Sequence, residues 1–251
     1  MTATARLEIA GLQRRYGSHR AVDHLDLTLP GGCVVGLIGP NGAGKTTTMR
    51  LVAGHQAPDA GTIRVDGVDI AGRPDDARLR VALTPQDISL LEHLTPEETL
   101  RFVGRLRGLS DSEVSVRTER WLDAAHLQPV RQRLVRELSG GMKRKLAMGC
   151  AMLAPVPLVL LDEAFVGLDP ESTHSLEAEL RDFAAAGGTI VLSSHLLDLV
   201  HRLSDIVIMM RAGRLVARWT RAELDALVPS PHADLTALYL QHLGEGRTTG
   251  A

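Results

Sequence analysis

Cys33-Val34-Val35-Gly36-Leu37-Ile38 is an unbroken apolar run, followed directly by the glycine-rich segment Gly39-Pro40-Asn41-Gly42-Ala43-Gly44-Lys45-Thr46. An apolar run without alternation reads as a strand buried on both faces, the habit of parallel sheets. The segment after it fits G-x-x-x-x-G-K-[ST] at every fixed position, and the helix it opens ends near Gly54. Glycines let the backbone curl so that successive N–H groups point inward at phosphate oxygens. The N-terminus of the helix adds partial positive charge to the same place. Lys45 is then placed to neutralise the β- and γ-phosphates of a nucleotide, and Thr46, next to Thr47, to offer its hydroxyl to Mg²⁺.

Composition narrows what such a unit can belong to. The chain has 251 residues, of which 44% are hydrophobic and 23% charged, and its formal net charge is −2. That balance is globular and excludes a disordered or fibrous chain. It also leaves no basic excess for nucleic acid or anionic lipid, so no nucleic-acid partner is expected. Cys33 and Cys150 each sit in apolar sequence without metal-ligand spacing, which suits a reducing compartment. No signal pattern precedes Leu7. The uncharged run 146–161 has 16 residues and contains Pro155 and Pro157, short of the roughly 20 residues that a spanning helix needs. Direct membrane insertion is therefore not expected, and any membrane role must come through a partner.

Along the chain, Leu7, Ile9 and Leu12, then Leu25, Leu27 and Leu29, show mostly period-two patterning, and Pro30-Gly31-Gly32 supplies a turn. Ile63 and Val65 alternate before an Asp66-Gly67 turn, as in a hairpin. From Asp87 to Glu137 no strand pattern appears. Thr95-Pro96-Glu97-Glu98 and Ser110-Asp111-Ser112-Glu113 are capping boxes that open helices there, so this stretch reads as a helical insertion. Strand–helix alternation then resumes: a strand at 158–161, a helix over 171–186 stopped by Gly187-Gly188, a strand at 189–192, a short helix over 196–203 and a strand at 206–210. Ala212-Gly213 turns the chain toward Leu215 and Val216, and Thr220 to Glu223 forms a third capping box. Pro229-Ser230-Pro231 should break that helix, Leu235, Leu238 and Tyr239 mark a last amphipathic one, and residues 244–251 read as a disordered tail.

A second chemical signal is Leu158-Val159-Leu160-Leu161-Asp162-Glu163. A hydrophobic strand ending in Asp162 delivers a carboxylate to the C-terminal edge of a parallel sheet, where ligands bind. Asp162 is the expected Mg²⁺ holder. Glu163, one residue on, is placed to polarise a water for in-line attack on a γ-phosphate. An acidic pair after a strand is by itself an ordinary solvated strand end; the phosphate loop changes its meaning.

Leu138-Ser139-Gly140-Gly141-Met142 opens a helix and lies 24 residues before Asp162. Here the sequence resembles the ATP-binding subunit of ABC transporters, whose signature is LSGGQ just upstream of the Asp-Glu strand. Further positions match that family in its order. Gln86 resembles the glutamine at the entry to the helical insertion, which also reaches the metal. Gly167-Leu168-Asp169 resembles the D-loop. Ser193-Ser194-His195 resembles the switch histidine, and Tyr16, 23 residues before Gly39, the aromatic that stacks on adenine. Alone, His195 would read as structural, Tyr16 as packing and Gln86 as surface.

The resemblance implies an α/β fold: a P-loop NTPase (RecA-like) core with an N-terminal antiparallel β-subdomain and an inserted α-helical subdomain. It implies one nucleotide-binding domain over 1–251. Residues 1–86 and 138–225 would form the catalytic core with the β-subdomain, 87–137 the helical subdomain, and 226–251 a short C-terminal helix and tail. It further implies an ATPase that uses ATP and Mg²⁺. Two subunits, copies of one chain or related ones, would pair head to tail, so that Ser139, Gly140 and Gly141 of one cap the γ-phosphate held by the other's loop. Asp169 would link the two sites, and Glu163, His195, Lys45 and Gln86 would carry the chemistry. A transmembrane permease would dock on the helical insertion, placing the chain in the cytoplasm on the inner face of the cell membrane.

Two departures refine this reading. The signature ends in Met142 rather than glutamine, and Met142-Lys143-Arg144-Lys145 resembles the drug-exporter branch of the daunorubicin-resistance or ABC-2 type. After Glu163, Ala164-Phe165 replaces the commoner Pro-Thr. The expected function is the ATPase subunit of a bacterial ABC exporter. An importer subunit shares every catalytic motif. A soluble ATP switch such as the iron–sulfur assembly ATPase usually has an acidic residue where Met142 stands.

Overall fold

The two long N-terminal strands, β1 (Ala5–Tyr16) and β2 (His19–Pro30), pair antiparallel, and each buries alternate side chains. Their inward residues, among them Leu7, Ile9, Leu12, Leu25 and Leu29, are almost wholly buried. Strand β3 (Cys33–Ile38) is buried at every position, as an unbroken apolar run requires. Helix α1 (Lys45–Val52) follows the glycine-rich loop, and β4 (Ala60–Val65) and β5 (Val68–Asp69) form the hairpin around Asp66-Gly67. Both turn residues have positive φ, +49° and +74°, as a two-residue type I′ connection demands. The computed structural model describes residues 5–227 and 235–244. The proline break at 229–231 and most of the tail from 244 onward lie outside them.

Two short elements escaped the patterning of the sequence, and the second matters for the site. Helix α2 (Pro74–Arg80) leads into β6 (Val81–Thr84), a four-residue strand paired parallel to a strand more than seventy residues later. Nothing local marks it, because so short a strand shows neither alternation nor a long apolar run. Yet β6 is the edge of the catalytic sheet, and Gln86 sits two residues past its end.

Residues 87–137 hold no strand among the described residues. They form α3 (Pro96–Leu106), α4 (Asp111–Ala124) and two single 3₁₀ turns. Both capping boxes are present reciprocally, with Glu98 N–H and Glu113 N–H donating to the Thr95 and Ser110 hydroxyls. Val114, Trp121 and Leu122 on α4 are buried. Trp121 meets α5 (Gly140–Met152) at Gly149, donating from Nε1 to the Lys145 carbonyl at 3.0 Å. A Cβ at Gly149 would lie 2.3 Å from that same nitrogen, so α4 reaches α5 only because residue 149 has no side chain.

The remaining elements alternate: β7 (Leu158–Asp162), α6 (Pro170–Ala185), β8 (Thr189–Ser193), α7 (Leu197–Leu203), β9 (Ile206–Arg211), β10 (Arg214–Thr220), α8 (Arg221–Leu227) and α9 (Leu235–Gly244). Two sheets result. One is antiparallel, in the order β2-β1-β4-β5. The other runs β10-β9-β3-β8-β7-β6, parallel except for β10. The apolar face of the antiparallel sheet and α1 share a core with one face of the parallel sheet. The other face is covered by α5, α6, α7 and the helical insertion. Asp23 fastens the sheets to one another: its N–H donates to the Gly213 carbonyl at 2.9 Å, and its carboxylate accepts from Arg214 at 2.7 Å.

Candidate functional site

The parallel sheet brings the C-terminal ends of β3, β6, β7 and β8 to one edge, and an open cleft of about 710 Å³ lies there. It is lined by the loop and helix start from Asn41 to Thr47, and by Gln86, Asp162, Glu163 and His195, with Tyr16, His19 and Ala21 along the side of the antiparallel sheet. Four of these five separated places in the chain meet because parallel strands point their carboxyl ends the same way, and the antiparallel sheet brings the fifth.

The start of α1 is built to receive an anion. Its N-cap is Gly44, no side chain caps it, and its first turn holds no acidic residue. The N–H groups that a capping side chain would take are left to a ligand. Gly44 has φ +102°, and a Cβ there would stand 2.2 Å from the Ala21 carbonyl oxygen, so the loop can pass β2 only at a glycine. Lys45 is buried at 7% exposure, and its Nζ donates to the carbonyls of Gly39 at 2.6 Å and Pro40 at 3.2 Å. Burial pushes its ammonium below the ordinary lysine range, against the opposing pull of Glu163 and Asp162.

Across the cleft, Asp162 is buried and accepts from the Ser193 hydroxyl at 2.5 Å. The same hydroxyl accepts the Glu163 N–H at 3.0 Å. Ser193 therefore ties the ends of β7 and β8, fixing the Asp162 carboxylate and the backbone of Glu163. Glu163 has φ +52°, a left-handed conformation unusual for a side chain of this size. Its carboxylate is buried. Oε2 accepts the His195 N–H at 3.3 Å, while Oε1 has no hydrogen-bond donor among the described residues and stands 3.3 Å from His195 Nε2. A buried, strained, under-bonded carboxylate facing a half-exposed imidazole is set up to engage water and phosphate. No local pattern marks this strain, since Glu163 stands where an ordinary strand end would.

Thr46, Gln86 and Asp162 present only oxygen donors that suit a hard cation, a set that fits Mg²⁺. Among the described residues no group of three or more His, Cys, Asp or Glu could hold a metal by itself. A cation here would take the rest of its shell from water and phosphate, which is how Mg²⁺ is usually held.

Ser139, Gly140, Gly141 and Asp169 do not line this cleft. Ser139 caps α5, accepting the Met142 N–H at 3.3 Å. Asp169 caps α6, accepting from the Ser172 N–H at 2.8 Å and the Ser172 hydroxyl at 2.7 Å. The two helix starts touch: Lys145 of α5 donates to that Ser172 hydroxyl at 2.9 Å, and Arg144 donates to the Val166 carbonyl. Met142 packs half-buried against the core.

This fold and this cleft define a P-loop nucleoside-triphosphatase. The sequence profile described as ABC transporter matches residues 22–166. The daunorubicin/doxorubicin resistance ATP-binding protein DrrA of Streptomyces peucetius is 39% identical over 227 residues, covering 90% of this chain and 69% of that one. The Nod factor export ATP-binding protein I of Cupriavidus metallidurans is 38% identical over 221 residues, with 88% and 73% covered. A solved ATP-binding subunit of an ABC transporter superposes at a TM-score of 0.86 with 32% identity, over 94% of this chain and 99% of its own. An ATP-binding cassette solved as a dimer with ADP and Pi matches at 0.77 over 86% and 98%, and at 19% identity it shows the fold alone. The chain belongs to the ABC transporter ATP-binding family, and it is an ATPase.

Proposed function

We propose that the chain powers export, binding ATP in the cleft and hydrolysing it in a site that two subunits share. The observation that carries this reading is the convergence of the phosphate loop, Gln86, Asp162, Glu163 and His195 on one cleft. The backbone N–H groups of 41–46 would cradle the phosphates, and the Lys45 ammonium would leave its loop carbonyls for phosphate oxygens. Mg²⁺, held by Thr46, Asp162 and Gln86, would offset phosphate charge. Glu163 would take the proton of the attacking water, and His195 would orient that water and the γ-phosphate. Arg14 lies over Tyr16, 5.1 Å from its centroid, and the ring's other face is left for adenine.

The signature residues support pairing because they lie outside their own chain's cleft while leading a helix whose start is exposed at Ser139 and Gly140. In a head-to-tail pair they would meet the partner's γ-phosphate, with Asp169 behind them bonded through Ser172 to Lys145. The relatives named for drug resistance and Nod factor export support the direction of transport. No helix among the described residues is long and apolar enough to cross a membrane, so transport would need a permease and would hold this chain at the inner face of the cell membrane. Of Leu90, Leu91 and Leu94, Leu90 packs on the core and Leu91 is exposed. Leu79 and Leu106, also exposed, line a surface groove with Arg78 and Arg107. The exposed Leu91, Leu79 and Leu106 would be the apolar surface offered to a permease.

Size-exclusion chromatography of Glu163→Gln with Mg-ATP tests the shared site. The isosteric amide cannot accept the water's proton, so ATP should persist and hold a dimer, while wild type runs largely as monomer. A variant that stays monomeric at saturating Mg-ATP overturns the paired reading.

A further inference from the structure

Helix α9 reaches the loop that carries His195. Leu235 is buried, and Leu238 and Tyr239 pack half-buried against the same core as Leu197, the first residue of α7. Polar and ring contacts help to fix α9 in place. Arg211 at the end of β9 donates to the His242 carbonyl at 2.9 Å, and the His242 ring stands edge-on to Trp219 with centroids 5.2 Å apart. Tyr239 is thereby brought to a small cavity of about 300 Å³ whose other walls are Gly39, Ser194, His195 and Leu197. The first glycine of the phosphate loop, the histidine loop and the C-terminal helix share this one space.

The loop itself is thinly anchored. Leu196 N–H donates to the Ser194 hydroxyl at 3.0 Å, and His195 N–H reaches Glu163 at 3.3 Å, a long contact. The N-cap of α7 is Leu196, which offers no side-chain cap, and both His195 and Leu196 are exposed. With so few polar ties, the placement of the loop depends on the walls around it, and α9, packed on α7, supplies the wall across the cavity.

We propose that Tyr239 is a positioning residue for His195: its ring walls the cavity beside the loop 194–197, limits where that loop can move, and so keeps the imidazole facing Glu163 and the phosphate site. This rests on the reading that His195 acts on the γ-phosphate. A histidine that drifts from its working position costs rate more than binding, because the loop–phosphate contacts made by Lys45 and the α1 N-terminus are untouched.

The test uses the full chain. In Tyr239→Ala, kcat should fall about tenfold or more while KM for ATP stays within about twofold, and Tyr239→Phe, which keeps the ring, should restore kcat. Hydrogen–deuterium exchange should speed up at amides 194–198 in Tyr239→Ala and stay unchanged in β3 and α1. An unchanged kcat, a raised KM with kcat intact, or faster exchange spread evenly through β3 and α1 overturns the proposal. His195→Ala separates the two readings. If that variant keeps wild-type kcat, the role of His195 fails, whatever the exchange at 194–198 reports.

Discussion

Glu163→Gly should make the protein more stable while destroying its turnover. At φ +52° a residue with a Cβ pays roughly 1–2 kcal/mol relative to a right-handed conformation, a cost that glycine escapes. The His195 contact returns little, because that imidazole is 49% exposed and screened by water. Against this gain, glycine adds about 0.5–1 kcal/mol of chain entropy to be lost on folding. The balance favours the variant by up to about 1 kcal/mol, which in a chain of this size raises Tm by up to roughly 2–4 °C. Turnover should fall by about 10²–10⁴-fold with the loss of the general base, or ~2.7–5.5 kcal/mol of barrier. Glu163→Gln keeps the side chain's shape and backbone strain, so it should lose turnover to the same degree with a smaller change in Tm. Thermal unfolding without nucleotide, alongside steady-state ATPase at saturating Mg-ATP, reads both. A Glu163→Gly protein that melts below wild type refutes the strain argument, and a Glu163→Gln protein within tenfold of wild-type turnover refutes the base.

Two further outcomes follow from the helix starts and the sheet junction. Because Met142 packs on the core while Ser139, Gly140 and Gly141 lead the helix, Met142→Gln should change the ATPase rate by less than about tenfold, under ~1.4 kcal/mol. Gly141→Asp should be far worse, its carboxylate facing a partner's γ-phosphate, and the reverse order of damage would sink the division between backbone contact and packing. At the junction, hydrogen bonds from Arg214 and then His24 hold the Asp23 carboxyl down to about 2, from an ordinary 3.8. A depressed folded value gives stability that is present above the unfolded pKa and is lost as pH falls through the folded one. The stability gap between wild type and Arg214→Ala, read from urea midpoints, should therefore be constant above about pH 5 and close between about pH 4 and 2. A gap that persists unchanged at pH 2 removes Asp23 as its source.

What the sequence determined is what neighbours along the chain can decide. The uncapped glycine-rich start of α1, the reciprocal boxes at Thr95 and Ser110, and the acidic pair at the end of β7 each depend on a few consecutive residues, and each is legible without a fold. The tertiary structure decided the rest. Strand β6, too short to show a period, exists because β7 offers it an edge, and only through it does Gln86 reach the cleft. Whether Leu90 or Leu91 faces outward could not be read from three leucines in five residues. The strained φ of Glu163 is set where its N–H meets Ser193, thirty residues away on the neighbouring strand. The strand order β9-β3-β8-β7-β6 and the approach of Tyr239 to His195 likewise join residues far apart in the chain. Such contacts are selected by the packing of whole faces against one another, and a local pattern records only that a face is apolar, not which face it will meet.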